Sequence, residues 1–173
     1  EKVGTVRFKL IELSKDGSKF RLYRSQVYPV SGFTYPPELA KELTDKFGPY
    51  INEAVSQAFF AGLVDEKTMV EEFGYQIDWI SNAAKYLIEK YGASLYMMHW
   101  HFIDSLMHRV LGLADPIGGM YDPSKAEEAW RVLKLGYQIA DKLVGAFLKN
   151  LDEDTHLIIV SDHGNSPNRK VYS

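Results

Sequence analysis

The run Leu157-Ile158-Ile159-Val160 is followed at once by Ser161-Asp162-His163-Gly164. Four consecutive apolar residues with polar neighbours predict a strand buried on both faces, as in a parallel sheet covered by helices. Such a strand constrains the chain around it, because a parallel neighbour is reached only through a crossover, almost always right-handed. It also fixes where chemistry sits: open α/β sheets bind ligands outside the carboxyl ends of their strands. There the chain places a carboxylate beside an imidazole, donors suited to Zn²⁺, Mn²⁺ or Fe. As plain loop residues Asp162 and His163 need no ligand. At a buried strand end, however, a carboxylate needs a cation or hydrogen-bond donors nearby. Gly164 is expected to let the backbone turn sharply or approach a ligand closely.

A second strand end lies upstream. Leu95-Tyr96-Met97-Met98-His99-Trp100 reads as part of a buried strand over residues 95–101, with a helix over residues 104–113 behind it. Asp104 and His108 are four apart, so on that helix they share a face with Cβ atoms about 5–6 Å apart. That is a workable bite for one metal ion. Without a ligand, Asp104 would be a good N-cap and His108 a solvated helix residue. His99 and His101 fall on one face of the strand and Trp100 on the other. They are expected as hydrogen-bonding residues behind the ligands or as substrate contacts, the plain alternative being packed histidines. Asn165 is either a substrate contact or a turn residue, and His156 is expected to be exposed.

The remaining pattern supplies the crossover and its surroundings. Ala129, Leu133, Tyr137, Ala140, Val144, Phe147, Leu148 and Leu151 step at three and four, the period of one helix face. Ser124 with Glu127 three residues later predicts the capping box of that helix. Another helical pattern covers residues 65–91 and stops at Gly92. Pro37 suits the first turn of a helix over residues 38–46, which Gly48-Pro49 ends. Residues 52–62 read as a short helix or a loop. At the amino end, Val6, Phe8 and Leu10 alternate with Arg7 and Lys9, and Phe20 and Leu22 with Arg21 and Tyr23. With Asp16-Gly17 between them, these runs predict a β-hairpin of two half-buried strands over residues 3–13 and 19–27. A lone hairpin is marginal in water, so it must pack on something.

Asp-x-x-x-His followed by Ser-Asp-His-Gly after a buried strand resembles the alkaline phosphatase superfamily, and within it the type I phosphodiesterase/nucleotide pyrophosphatase branch. Tyr23-Arg24-Ser25-Gln26-Val27-Tyr28-Pro29, Tyr35-Pro36-Pro37-Glu38-Leu39 and residues 104–112 are similar to its prokaryotic members. The resemblance implies an α/β fold: a partial alkaline-phosphatase-like parallel sheet flanked by helices, with an N-terminal β-hairpin insert. Residues 1–62 would form a cap-like insert and residues 63–173 an incomplete metallohydrolase core. The resemblance further implies two divalent ions, Zn²⁺ first and Mn²⁺ or Fe as alternatives. Asp162 and His163 would hold the ion beside a Ser or Thr nucleophile, and Asp104 and His108 the other. The substrate would be a small-molecule phosphoester, with phosphodiester or nucleotide pyrophosphate bonds hydrolysed through a covalent enzyme intermediate.

The chain also departs from that pattern. The family's early Asp and its nucleophile at a strand-to-helix junction are not recognisable in residues 1–13, nor is its late His. Ser25, Ser31 and Thr34 are hydroxyls in the chain, but none sits at such a junction. The chain therefore reads as the middle of a longer enzyme, and Glu1 in place of Met fits an excised segment. By itself it is expected to be inactive and to bind Zn²⁺ incompletely. Phosphomonoesterase, phosphoglycerate mutase and sulfatase chemistry remain as alternatives, as does a non-catalytic metal-stabilised or protein-binding domain.

Composition narrows the partners. A net charge of −3 with intermixed signs gives no electrostatic footprint for nucleic acid. There is no apolar run long enough for a transmembrane helix and no leader-like start, which favours the cytoplasm while leaving the location otherwise open. With no cysteine, any metal must be held by Asp, Glu and His. Nothing in the sequence indicates an oligomeric state.

Overall fold

The computed structural model describes residues 3–168. Residues 1–2 and 169–173, at the two ends of the domains expected from the sequence, lie outside the described residues. The chain is mixed α/β and divides into two compact units, Glu1–Tyr91 and Gly92–Ser173.

In the first unit β2 (Phe8–Leu13) and β3 (Phe20–Arg24) form the expected antiparallel hairpin. A short pair, β1 (Gly4–Thr5) with β4 (Tyr28–Pro29), precedes and follows it. The register pairs Lys9 with Tyr23, Leu10 with Leu22 and Leu13 with Phe20, with an irregularity between Leu10 and Glu12. The turn is built on Asp16, whose Oδ1 accepts from the Ser14 hydroxyl (2.6 Å) and from the Ser18 amide (3.2 Å) and hydroxyl (2.8 Å). These donors pull its pKa down to about 2. Gly17, at φ 73°, supplies the left-handed step that closes the turn.

Three helices complete this unit: α1 (Glu38–Phe47), α2 (Ala54–Phe60) and α3 (Glu66–Tyr91). Asp65 caps α3 by accepting from the Thr68 amide at 2.7 Å, and Gly92, at φ 60°, follows its end. Met69, Phe73, Ile77, Ile80 and Ala84 run along one buried side of α3. Further along the helix, Ala83 meets Leu39 and Leu43 of α1, with Phe47, Trp79, Tyr86 and Leu87 against them.

The hairpin lies on α3 by the face opposite to the one its alternation suggests. Phe8, Leu10, Phe20 and Leu22 are exposed. Arg7 and Lys9 instead reach the helix: Arg7 Nε lies 3.2 Å from Glu72 Oε1, and Lys9 Nζ lies 2.6 Å from Glu71 Oε2. The reason is what α3 presents, namely carboxylates and the Tyr75 ring, over which the Arg7 guanidinium stacks. Tyr23, buried on the same side, donates to Glu72 Oε2 at 3.4 Å. Burial raises the pKa of Glu72, an effect that Arg7 opposes. These contacts join α3 to the hairpin within the first compact unit, Glu1–Tyr91.

The second unit contains α4 (Phe102–Ala114) and α5 (Pro123–Leu148). The N-cap of α5 is Asp122 rather than Ser124: Asp122 Oδ1 accepts from both the Ser124 amide and hydroxyl. Pro123 occupies the first helical position, where its missing N–H costs nothing, and this moves the cap two residues upstream. Phe102, Leu106 and Val110 of α4 pack on Leu133, Ile139 and Leu143 of α5 to form this unit's core.

The α/β class stands, but among the described residues every strand pair is antiparallel. The two apolar runs expected as parallel strands, residues 95–101 and 157–160, belong to no hydrogen-bonded strand, and Met97 and Val160 are more than four-fifths exposed. A parallel ladder is stable when several strands lie between helices on both faces. Two runs beside one helical pair do not supply that cover.

Candidate metal centre

The site is organised by the start of α4. His101 is its N-cap, so the helix begins two residues before the predicted start, and Asp104 lies in its first turn rather than capping it. Phe102 and Leu106 are buried against α5, which leaves Asp104 half-buried on the flank and His108 exposed one turn on.

Asp104 and His108 are brought together as their spacing requires, with Asp104 Oδ1 3.3 Å from His108 Nε2. The other oxygen, Oδ2, lies 2.9 Å from His101 Nε2. Although His108 is near, Asp104 Oδ1 is buried and makes no hydrogen bond. An orphaned carboxylate oxygen is costly unless a cation or donor satisfies it. Its separation from the imidazole nitrogen is about the ligand–ligand edge (~3.0–3.4 Å) of a metal site with bonds of about 2.0–2.2 Å. This pair therefore fits a divalent ion as two of its donors.

The second pair is more open. Asp162 and His163 are exposed, with Asp162 Oδ2 3.8 Å from His163 Nε2. The Ser161 hydroxyl donates to the carbonyl of His163. His163 Nδ1 is 3.1 Å from the Gly164 carbonyl. The φ of Gly164 is not positive, and a Cβ there would meet nothing within 4 Å.

A cavity of about 620 Å³ lies between the segments that follow the two apolar runs and α5. Asp104, Asp162, His163, His99, His101 and Asn165 line its polar part, and Tyr137, Ala140, Leu143, Val144 and Phe147 of α5 its apolar wall. His108 is outside that lining and reaches the group through Asp104. The His99 and His101 rings lie tilted by 45° to each other with centroids 5.5 Å apart. Among the described residues no three His, Asp or Glu side chains converge closely enough to hold one ion. Neither pair by itself completes a coordination sphere.

Two of the three hydroxyls considered as nucleophiles, Ser25 and Thr34, serve the backbone of the first unit. Ser25 is buried; its Oγ accepts from the Arg7 amide at 2.9 Å and donates to the Gln26 carbonyl at 2.8 Å. The Thr34 hydroxyl donates to the Pro36 carbonyl at 2.9 Å. Among the described residues no Ser or Thr hydroxyl bonds the side chain of Asp162 or His163. No described helix is long and apolar enough to cross a membrane.

The pairing of His101 with Asp104 escaped the sequence reading. With the helix placed from residue 104, the two belonged to different elements; with it placed from residue 102, they are three apart on one turn.

In comparison with known families, the chain matches the family described as type I phosphodiesterase / nucleotide pyrophosphatase over residues 12–173. No curated protein and no solved structure matches the chain.

Proposed function

Because the chain belongs to the type I phosphodiesterase/nucleotide pyrophosphatase family, we propose that the protein of which it is part hydrolyses phosphodiester or nucleotide pyrophosphate bonds with two divalent ions. Asp104 and His108 would hold one ion, and Asp162 and His163 the other. Zn²⁺ suits this oxygen–nitrogen donor set, as do Mn²⁺ and Fe. The observation that carries the reading is the orphaned Asp104 Oδ1 beside His108 Nε2, at the edge of a cavity that Asp162 and His163 also line.

Bound divalent ions supply Lewis-acid charge, which makes an anionic phosphoester open to attack. The chain's own residues do the rest of what can be assigned. Asp104 and Asp162 bring negative charge, and His108 and His163 neutral nitrogen donors. Asn165 and His99 present polar groups to the ester, and the α5 wall keeps water from one side of the cavity. The hydroxyl nucleophile is not among the residues recognised here, and the 173-residue chain is expected to be inactive by itself.

The test is a substrate panel: bis(p-nitrophenyl) phosphate, p-nitrophenyl phosphate and p-nitrophenyl sulfate, each with Zn²⁺ or Mn²⁺. Both this chain and the product of the whole reading frame would be assayed. Hydrolysis of the diester by the longer product alone supports the reading. Preference for the monoester or the sulfate moves it to a sister chemistry, and silence on all three refutes it.

A further inference from the structure

We propose that His101 is a positioning residue for Asp104: it holds one carboxylate oxygen so that the other stays turned to the metal beside His108. The inference rests on the reading of Asp104 and His108 as metal donors and adds a residue which that reading does not use.

The geometry runs through one turn of helix. As the N-cap of α4, His101 hangs its ring over the first turn, where Asp104 and Ser105 lie three and four residues on. Its Nε2 is 2.9 Å from Asp104 Oδ2, and its Nδ1 is 3.4 Å from Ser105 Oγ. A Ser105 hydroxyl that donates to Nδ1 leaves the proton on Nε2, and Nε2–H then donates to the carboxylate. The two oxygens of Asp104 thus differ: Oδ2 has a donor, and Oδ1 is buried without one, 3.3 Å from His108 Nε2. A carboxylate turns freely about its last bond unless one oxygen is held. Held in this way, it keeps Oδ1 and the His108 nitrogen in a fixed bite. His101 is not itself a third donor, because no three such side chains among the described residues converge on one point. Residues that orient a metal ligand typically contribute about 10–100-fold in metal affinity.

The test is calorimetric titration of the 173-residue chain with Zn²⁺, comparing the parent with His101→Ala, His101→Gln, Ser105→Ala and Asp104→Asn. Far-UV circular dichroism monitors helix content. His101→Ala should weaken binding about 10–100-fold. His101→Gln, whose Nε2 can still donate to Oδ2, should recover most of the loss, and Ser105→Ala should lose less than His101→Ala. The number of imidazoles bound, read by X-ray absorption, should be the same in the parent and in His101→Gln. Equal affinity of His101→Ala and parent overturns the inference. So does a His101→Gln as weak as His101→Ala, or one that has lost an imidazole from the metal. If Asp104→Asn binds as the parent does, or the parent binds no Zn²⁺, the underlying site reading fails and the inference with it. A loss in Asp104→Asn with none in His101→Ala sinks the inference alone.

Discussion

Gly136→Ala tests the packing that places Asp104. Gly136 lies where α5 crosses α4, and a Cβ there would overlap Leu106 Cδ2 while standing 3.5 Å from Leu106 Cγ and 3.7 Å from Phe102 Cε1. Two effects oppose each other. Alanine in a helix interior gains about 1 kcal/mol over glycine. Overpacking a well-filled core costs about 1–3 kcal/mol. Here the second wins: Leu106 is 2% exposed and Phe102 0% exposed, so neither can yield outward into water. The expected net effect is a destabilisation of up to about 2 kcal/mol. It should be read as a lowered urea midpoint with an unchanged slope by circular dichroism. A double-mutant cycle isolates the clash. Leu106→Ala alone should cost about 2–5 kcal/mol. In its presence Gly136→Ala should become neutral or stabilising, giving a coupling of at least about 1 kcal/mol. If Gly136→Ala stabilises the parent, or the two changes add, the close crossing of α4 and α5 is wrong. The placement of Asp104 then loses its support.

Other consequences can be measured as well. Burial raises the Glu72 pKa, so the folded state holds that proton more tightly than the unfolded one. Its contribution to stability therefore falls as pH rises from about 4.3 through the raised value. Glu72→Gln should remove this fall, the variant gaining on the parent as pH increases; parallel stability–pH curves would count against it. Asp122→Ala should cost about 1 kcal/mol by removing the cap of α5, whereas Glu127→Ala, outside that cap, should change stability little. Thermal melts of the two variants decide this, and the reverse ranking would restore the Ser124 cap. Alanine at Asp104 or at Asp162 should each lower Zn²⁺ binding in a calorimetric titration, and an unchanged isotherm for both would remove both pairs from the site.

Local signals were legible where one element decides the outcome. The ends of α3 were set by Asp65 and Gly92, and the bite of Asp104 and His108 by spacing on one helix. Outcomes that depend on a second element were not. Alternation in the hairpin defines two faces, but which face is covered depended on the carboxylates of α3. Ser124 looked like a cap until Pro123 at the first helical position made Asp122 the better one. The runs over residues 95–101 and 157–160 carry the apolar content of buried strands, but content does not supply the neighbours a parallel ladder needs. Starting α4 two residues early was enough to hide the contact of His101 with Asp104.

The most direct test of the metal-dependent hydrolase reading is hydrolysis of bis(p-nitrophenyl) phosphate by the product of the whole reading frame, before and after chelation and with Zn²⁺ or Mn²⁺ restored. The account predicts that activity disappears with the metal, returns with it, and is absent in Asp162→Ala and Asp104→Ala under every condition. Turnover that survives chelation, or persists in both variants, would contradict it.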